Sequence, residues 1–215
     1  TFSPYIKGGS LLELGCSDGF MTEALSRLAT EVTVIDGSSK FLADAKERDL
    51  GNVSFEYGLF EAYDTDRKYD HIVASYILEH VKSPVEVLNN VKRFLAPAGK
   101  IYVVVPNARA LSRQLAMHMG LLSDLKNLTP NDHNHGHRRV YDRAQLNVDI
   151  ASCGLQQVAQ GGIMLKLLSD YQMDLLYEQS IIEDQHIQGL YKIGLEYPDL
   201  CGSLFSICEK PTRKV

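Results

Sequence analysis

The chain has 215 residues, enough for one sizeable α/β domain at ~100–200 residues per domain. A formal charge of −5 at pH 7 argues against a dedicated nucleic-acid binder, and no apolar run approaches the ~20 residues that cross a bilayer. The cysteines, Cys16, Cys153, Cys201 and Cys208, are scattered without a C-x-x-C pair. That excludes a disulfide scaffold or zinc ribbon as the default and points to reduced thiols in a cytoplasmic protein.

Residues 1–9 are too few for a domain element of their own and look like the tail of a helix and its turn. Residues 10–14 form a short apolar run containing Glu13. Gly15 and Gly19 follow, and Met21, Ala24, Leu25 and Leu28 then recur at helical spacing. That is a buried strand, a glycine-bearing turn and the start of an amphipathic helix. Glycine suits a tight turn and lets a ligand approach the main chain. A dinucleotide fingerprint would also need glycine two and five places after Gly15, where Ser17 and Phe20 stand. This is no pyrophosphate loop.

A β-branched strand over 31–35 ends in Asp36. In a doubly wound fold that position lies beside the first glycine turn, where a carboxylate accepts ribose hydroxyls; capping the helix that follows is the alternative role. Phe41, Leu42 and Ala45 pattern that second helix. A third strand over 52–57 leads into Gly58-Leu59-Phe60-Glu61. A fourth, over 69–75, runs into the YILEHV segment at 76–81. Ser83 and Glu86 then have capping-box spacing, with Pro84 at the first helical position. Leu88, Val91 and Leu95 carry the helix face to Pro97-Ala98-Gly99, and 100–105 is a fifth strand.

Leu111, Leu115 and Met119 give one face of a further helix, stopped by Gly120. The segment 121–139 is irregular and ends in Asp132-His133-Asn134-His135-Gly136-His137-Arg138-Arg139. Asp142 opens another helix with Gln145 at the capping position. A sixth strand is predicted over 155–161, a helical pair over 165–199 and a last strand over 203–208. Gly189 and Gly194 inside that pair each cost ~1 kcal/mol against alanine.

Two blocks resemble a known family. The strand with its E-x-G-x-x-x-G turn (Glu13, Gly15, Gly19) resembles motif I of the class I S-adenosylmethionine-dependent methyltransferases. The second block, D-x-I-x-x-S-x-x-L-E-H-V-x-x-P, a helix, then L-x-P-x-G-x-I, starts at Asp70 and is the more specific. The resemblance implies a Rossmann-like seven-stranded sheet of order 3-2-1-4-5-7-6, with strand seven antiparallel and helices on both faces. It further implies one domain over 1–215 carrying the 165–199 pair as an insertion that shapes an acceptor pocket or a homodimer contact. One or two cap helices would precede residue 1 in a longer protein.

The same resemblance assigns S-adenosyl-L-methionine to Glu13, Gly15, Cys16, Ser17, Gly19, Asp36, Gly37 and Phe41, with Leu59 and Phe60 at the adenine and Ser75, Tyr76 and His80 after the fourth strand. The usual acidic residue near the adenine is absent, and Gly58 stands in that region. G-H-R-R-V-Y resembles the G-H-x-R-x-Y stretch above the acceptor pocket. His137 is therefore the candidate general base, with Arg138 or Arg139 holding an acidic acceptor or an oxyanion; anchoring the lid helix is the alternative role for His137 and Tyr141.

Some relatives bind a divalent metal through an E-x-x-E-H string, but Tyr76 replaces the first acid before Glu79-His80. The H-x-H-x-H run at 133–137, helped by Asp132, is a second metal candidate by spacing. No metal is expected at either. The expected reaction is methyl transfer to a small molecule, to oxygen before carbon or nitrogen, with sugars, natural products and phenols as acceptor classes. The rivals are a protein or RNA methyltransferase and a non-catalytic cofactor binder. The [DNS]-P-P-[YF] string of DNA amino-methyltransferases is missing after the fourth strand.

Overall fold

A computed structural model describes residues 1–211. Its strands are β1 (Ser10–Leu14), β2 (Glu31–Asp36), β3 (Val53–Tyr57), β4 (Tyr69–Ser75), β5 (Leu95–Pro106), β6 (Gln156–Leu165) and β7 (Cys201–Glu209). They form one sheet of order β3-β2-β1-β4-β5-β7-β6. Neighbours from β3 to β5 pair parallel, while β7 runs antiparallel to both β5 and β6. The predicted class and strand order are those observed.

The helices are α1 (Phe20–Ser26), α2 (Ser39–Lys46), α3 (Pro84–Val91), α4 (Leu111–His118), α5 (Pro130–Asn134), α6 (Arg143–Ser152), α7 (Asp170–Glu178) and α8 (Asp184–Glu196). Strands covered on both faces read as continuous apolar runs, and side chains alternate between the faces. Leu12, Ile72 and Val103 accordingly pack with Leu88 of α3 and Leu146 of α6. Leu11, Val73 and Tyr102 face the other way, onto Leu25 of α1 and Leu42 of α2. The strand order reverses between β1 and β4, and ligands of open α/β sheets bind outside the carboxyl ends at such a point. Among the described residues no helix is long and apolar enough to cross a membrane.

Several local expectations differ from the structure. Residues 1–9 are turns rather than a helix tail; Phe2 and Ile6 are buried, with the Phe2 ring 5.0 Å from that of Tyr102. Helix α1, seven residues long, buries Thr22 and Leu25, whereas Met21 is exposed. Helix α4 buries none of its residues. Strand β6 runs four residues further than predicted, to Leu165, because it keeps pairing with β7 as far as Cys201. Helices α7 and α8 fall where the insertion was expected. Gly194 of α8 is explained by close packing, since a Cβ there would lie 2.8 Å from Cys201 Sγ.

Candidate active site

Four segments converge on Gly15. Its φ of 74° is in the left-handed region that glycine enters without penalty, and its N–H donates to the Ile35 carbonyl at 2.8 Å. A Cβ there would lie 2.6 Å from Ile77 Cδ1, 3.7 Å from the Phe60 ring and 3.8 Å from Asp36 Oδ2. The turn after β1, the end of β2, the loop after β3 and the loop after β4 thus meet at one glycine.

Asp36 is nearly buried. Its Oδ2 accepts the Cys16 N–H at 3.0 Å and its Oδ1 the Ser38 N–H at 2.7 Å. Each carboxylate oxygen has two lone pairs: Oδ1 keeps one open, and the second of Oδ2 receives only the weak Cys16 thiol bond at 3.7 Å, which a hydroxyl donor can displace. The cap of α2 is Ser38, which accepts from the Phe41 N–H; Asp36 is not spent on capping. Burial, reinforced by the Asp36 charge, pushes the Cys16 thiol up to about 12, so it stays protonated. Leu59 is largely exposed and reaches over Gly37, 3.2 Å from a Cβ built there.

Gly19 also has a packing reason to be glycine. Its φ is 78°, and a Cβ would lie 2.9 Å from both Ala45 Cβ and Arg48 Cδ of the α2 segment. Glycine is needed there for helix packing. Ser17, also at positive φ, is exposed between the two glycines.

Glu13 lies near the end of β1, 2% exposed, and its Oε2 has no hydrogen-bond partner. Burial raises its carboxyl from the ordinary 4.5 to about 8; the Thr22 hydroxyl opposes the shift and the Asp36 charge adds to it. Across the switch point β1 pairs with β4, and at the end of β4 the Ser75 hydroxyl is likewise buried without a partner. Buried polar atoms are nearly always satisfied, so orphans at two adjacent strand ends mark a place where a polar ligand fits.

Next to these residues, the turn after β4 packs against the segment before α6. Tyr76 has φ 56°, donates its N–H to the Val104 carbonyl, and shares a 2.8 Å hydrogen bond between its hydroxyl and Ser203 Oγ. Arg139 Nη1 donates to the carbonyls of Leu78 and Val81 at 2.7 and 2.6 Å, and Nη2 to that of Lys82 at 3.0 Å. The Arg138 N–H holds the Glu79 carbonyl at 2.8 Å, while its Nε holds that of His80 at 2.9 Å. The arginine pair therefore clamps the β4 turn to the lid. This corrects the expectation for Arg139, whose guanidinium is committed to backbone rather than free for an acceptor.

His137 is held from behind. Thr129 and Asp132 form a capping box at the start of α5, and Asp132 Oδ1 lies 3.0 Å from His137 Nδ1. Burial would raise the Asp132 carboxyl, but bonds from the Thr129 N–H and hydroxyl and the Arg113 guanidinium outweigh it and hold it at about 2. An ionised carboxylate only accepts, so His137 Nδ1 carries the proton in this contact, and in the neutral form of the ring Nε2 keeps its lone pair.

The His80 ring stands edge-on to His137 with centroids 4.8 Å apart. Burial, with His137 adding to it, keeps His80 below the usual histidine range. Glu79 is fully buried and neither carboxyl oxygen has a partner; burial pushes it up to about 8, with the Arg139 charge opposing. One ligand atom each from Glu79, His80 and His137 lie within 4.8 Å of one another.

The histidine run thus divides. His133 and His135 are exposed, and His135 Nδ1 bonds the Asn131 carbonyl at 2.8 Å. Only His137 turns to the residues after β4. Sequence reasoning assigned no site role to Ile77, Arg113, Thr129 or Ser203. The Thr129-to-Asp132 spacing was a legible capping signal; the others carry no local signal.

A switch-point glycine turn, an oriented carboxylate at the end of β2 and a histidine-bearing lid, on a sheet of this order, define the class I methyltransferase fold. A family model described as "Methyltransferase domain" matches residues 2–160, and the chain belongs to that family. Curated relatives are ubiquinone biosynthesis O-methyltransferases. The one from Xanthomonas oryzae pv. oryzae is 26% identical over 117 residues, 52% of this chain and 49% of that protein. The one from Coxiella burnetii is 30% identical over 101 residues, 45% and 43% of the two chains. The matches span about half the length of these relatives. Among solved structures, N-methyltransferase NodS from Bradyrhizobium japonicum, in complex with S-adenosyl-l-homocysteine, superposes with a TM-score of 0.59 at 16% identity, covering 94% of this chain and 78% of that one.

Proposed function

We propose that the protein transfers a methyl group from S-adenosyl-L-methionine to an oxygen of a small molecule, with a phenol-like acceptor first among the classes to test. The observation that carries this reading is the Asp36 carboxylate, aimed by the Cys16 and Ser38 N–H groups beside the open turn at Gly15. It is suited to both ribose hydroxyls. Phe60 and Leu59 offer apolar surface to an adenine, and Glu13 a carboxyl to the cofactor's amino-acid end. The names of the ubiquinone biosynthesis relatives support oxygen as the acceptor atom and an aromatic ring as its carrier.

Methyl transfer from a sulfonium is an in-line displacement that chiefly needs alignment and exclusion of water. His137 Nε2 takes the acceptor's hydroxyl proton while the oxygen attacks the methyl carbon. The carbon–sulfur bond breaks, and the products are the methyl ether and S-adenosylhomocysteine. Asp132 keeps the imidazole in the tautomer this requires and stabilises the imidazolium formed. Ser203 and Tyr76, joined across β4 and β7, form one wall for the acceptor, and Arg139 holds the floor of the turn.

The test is calorimetric titration of the purified chain with S-adenosylmethionine and S-adenosylhomocysteine, followed by methyl-transfer assays on phenol, sugar and amine panels alongside a basic peptide and an RNA. Micromolar cofactor binding with turnover on a small hydroxylated acceptor supports the reading. A folded chain that binds neither cofactor form, or that methylates only the macromolecules, refutes it.

A further inference from the structure

We propose that Arg113 is a positioning residue for proton removal by His137: its guanidinium fixes and offsets the Asp132 carboxylate, which then orients the imidazole without holding it protonated. This role rests on the reading of His137 as the base and adds a residue of α4 to it. Asp132 Oδ2 takes three donors, Arg113 Nη1 at 3.1 Å, the Thr129 N–H at 2.8 Å and the Thr129 hydroxyl at 2.7 Å. Oδ1 is thereby left to His137 Nδ1 at 3.0 Å. The side chains of Arg113, Asp132 and His137 are only 16%, 9% and 14% exposed, so mobile ions screen their charges poorly.

The neighbouring arginines mark the difference between a staple and a charge partner. Arg138 and Arg139 hold the lid to the β4 turn through backbone carbonyls. Arg113 likewise holds the carbonyls of Leu125 and Asn127, but it adds a carboxylate. Stapling the loop needs only the carbonyls. The carboxylate is the one that meets the base.

A carboxylate beside an imidazole favours the imidazolium, which cannot take a proton. A guanidinium on the far oxygen offsets that pull and leaves the orienting hydrogen bond in place. Two cationic groups set roughly 7 Å apart across a carboxylate repel by the equivalent of about one pH unit in a partly screened site. The other titratable groups facing His137 are His80, with ring centroids 4.8 Å apart, Glu79 of the same turn, and His135 of the lid at 6.0 Å. Replacing Arg113 leaves all three in place.

The test is an NMR titration of the histidine rings in the full chain, ligand-free and in chelator, with His137 assigned through His137→Ala. Arg113→Gln should raise the His137 midpoint by about one pH unit, and Arg113→Lys, which restores the charge, should return it close to wild type. A loosened lid alone would weaken the Asp132 contact and move the midpoint down, so the direction separates the two roles. A midpoint in folded Arg113→Gln that is unmoved or lower overturns the proposal, as does an equal rise in Arg113→Lys. If Arg113→Gln does not fold, Arg113→Lys decides alone. It keeps the charge but not the fork on two carbonyls, so a midpoint raised by a full unit refutes the charge role and one near wild type supports it. Full turnover by His137→Ala would refute the base reading instead, whatever the midpoints.

Discussion

Replacing Glu13 with glutamine removes an ionisable group that the fold holds at about 8 against an ordinary 4.5. Because the folded value lies above the unfolded one, the stability this group contributes is complete below pH 4.5 and is lost as the pH rises towards 8. Linkage puts the loss at about 3 kcal/mol by pH 7, of which roughly 2 kcal/mol falls between pH 5 and 7. The cause is burial: the carboxyl is 2% exposed with one oxygen unpartnered, so ionising it in the ligand-free fold places a charge where water does not reach.

Urea denaturation of wild type and Glu13→Gln from pH 5 to 8.5 measures this directly. The glutamine amide adds a constant cost if its N–H groups find only the Thr22 hydroxyl, so the informative quantity is the difference between the two stabilities as a function of pH. Glu79, also pushed up to about 8, contributes equally to both proteins and cancels. The variant should gain about 2 kcal/mol on wild type between pH 5 and 7, and lose affinity for S-adenosylmethionine. Parallel stability curves across that range would refute the burial argument.

Asp36→Ala should weaken S-adenosylmethionine binding by about 10–100-fold, the worth of hydrogen bonds to a charged group, as measured by calorimetry; unchanged affinity would remove the ribose assignment. His137→Ala, assayed in chelator, should lower turnover by ~10²–10⁴-fold with cofactor affinity intact, and full activity would end its role as base. Gly19→Ala combines a positive φ with overlap against Ala45 and should cost about 2–4 kcal/mol in denaturant unfolding; a neutral result would mean that α1 shifts freely on α2. Arg139→Lys loses the fork that holds three carbonyls. It should destabilise the protein by about 1–3 kcal/mol and expose the lid to protease, and an unchanged digestion pattern would deny the clamp.

Much of this was legible because it is local. The apolar runs at 10–14 and 69–75 needed only neighbouring residues to be recognised as strands. The Ser83 and Asp142 caps join residues three apart, and both accept the expected backbone N–H; the Thr129 cap has the same spacing but fell in a segment expected to be irregular. Asp36 was found by its place at a strand end, since a doubly wound sheet brings that end to the glycine turn by topology alone. Where the environment was not local, the pattern misled. Met21 fitted a helical face that the sheet does not meet, and it is exposed.

The sequence by itself determined the main elements and the glycine turn, because hydrophobic period and glycine position act over a few residues, while the class and the strand order were carried by its resemblance to a known family. The resemblance had already singled out His137; only the tertiary structure decided which residues it meets. Alternate positions at 133, 135 and 137 suggested one cluster, but it is the His137 ring that stands against His80 at 4.8 Å, with His135 exposed 6.0 Å behind it. Glu79 and His137 are 58 positions apart, and no local preference links them. They meet because β5 and the chain after it carry the lid back over β4, where Arg139 finds three carbonyls to hold.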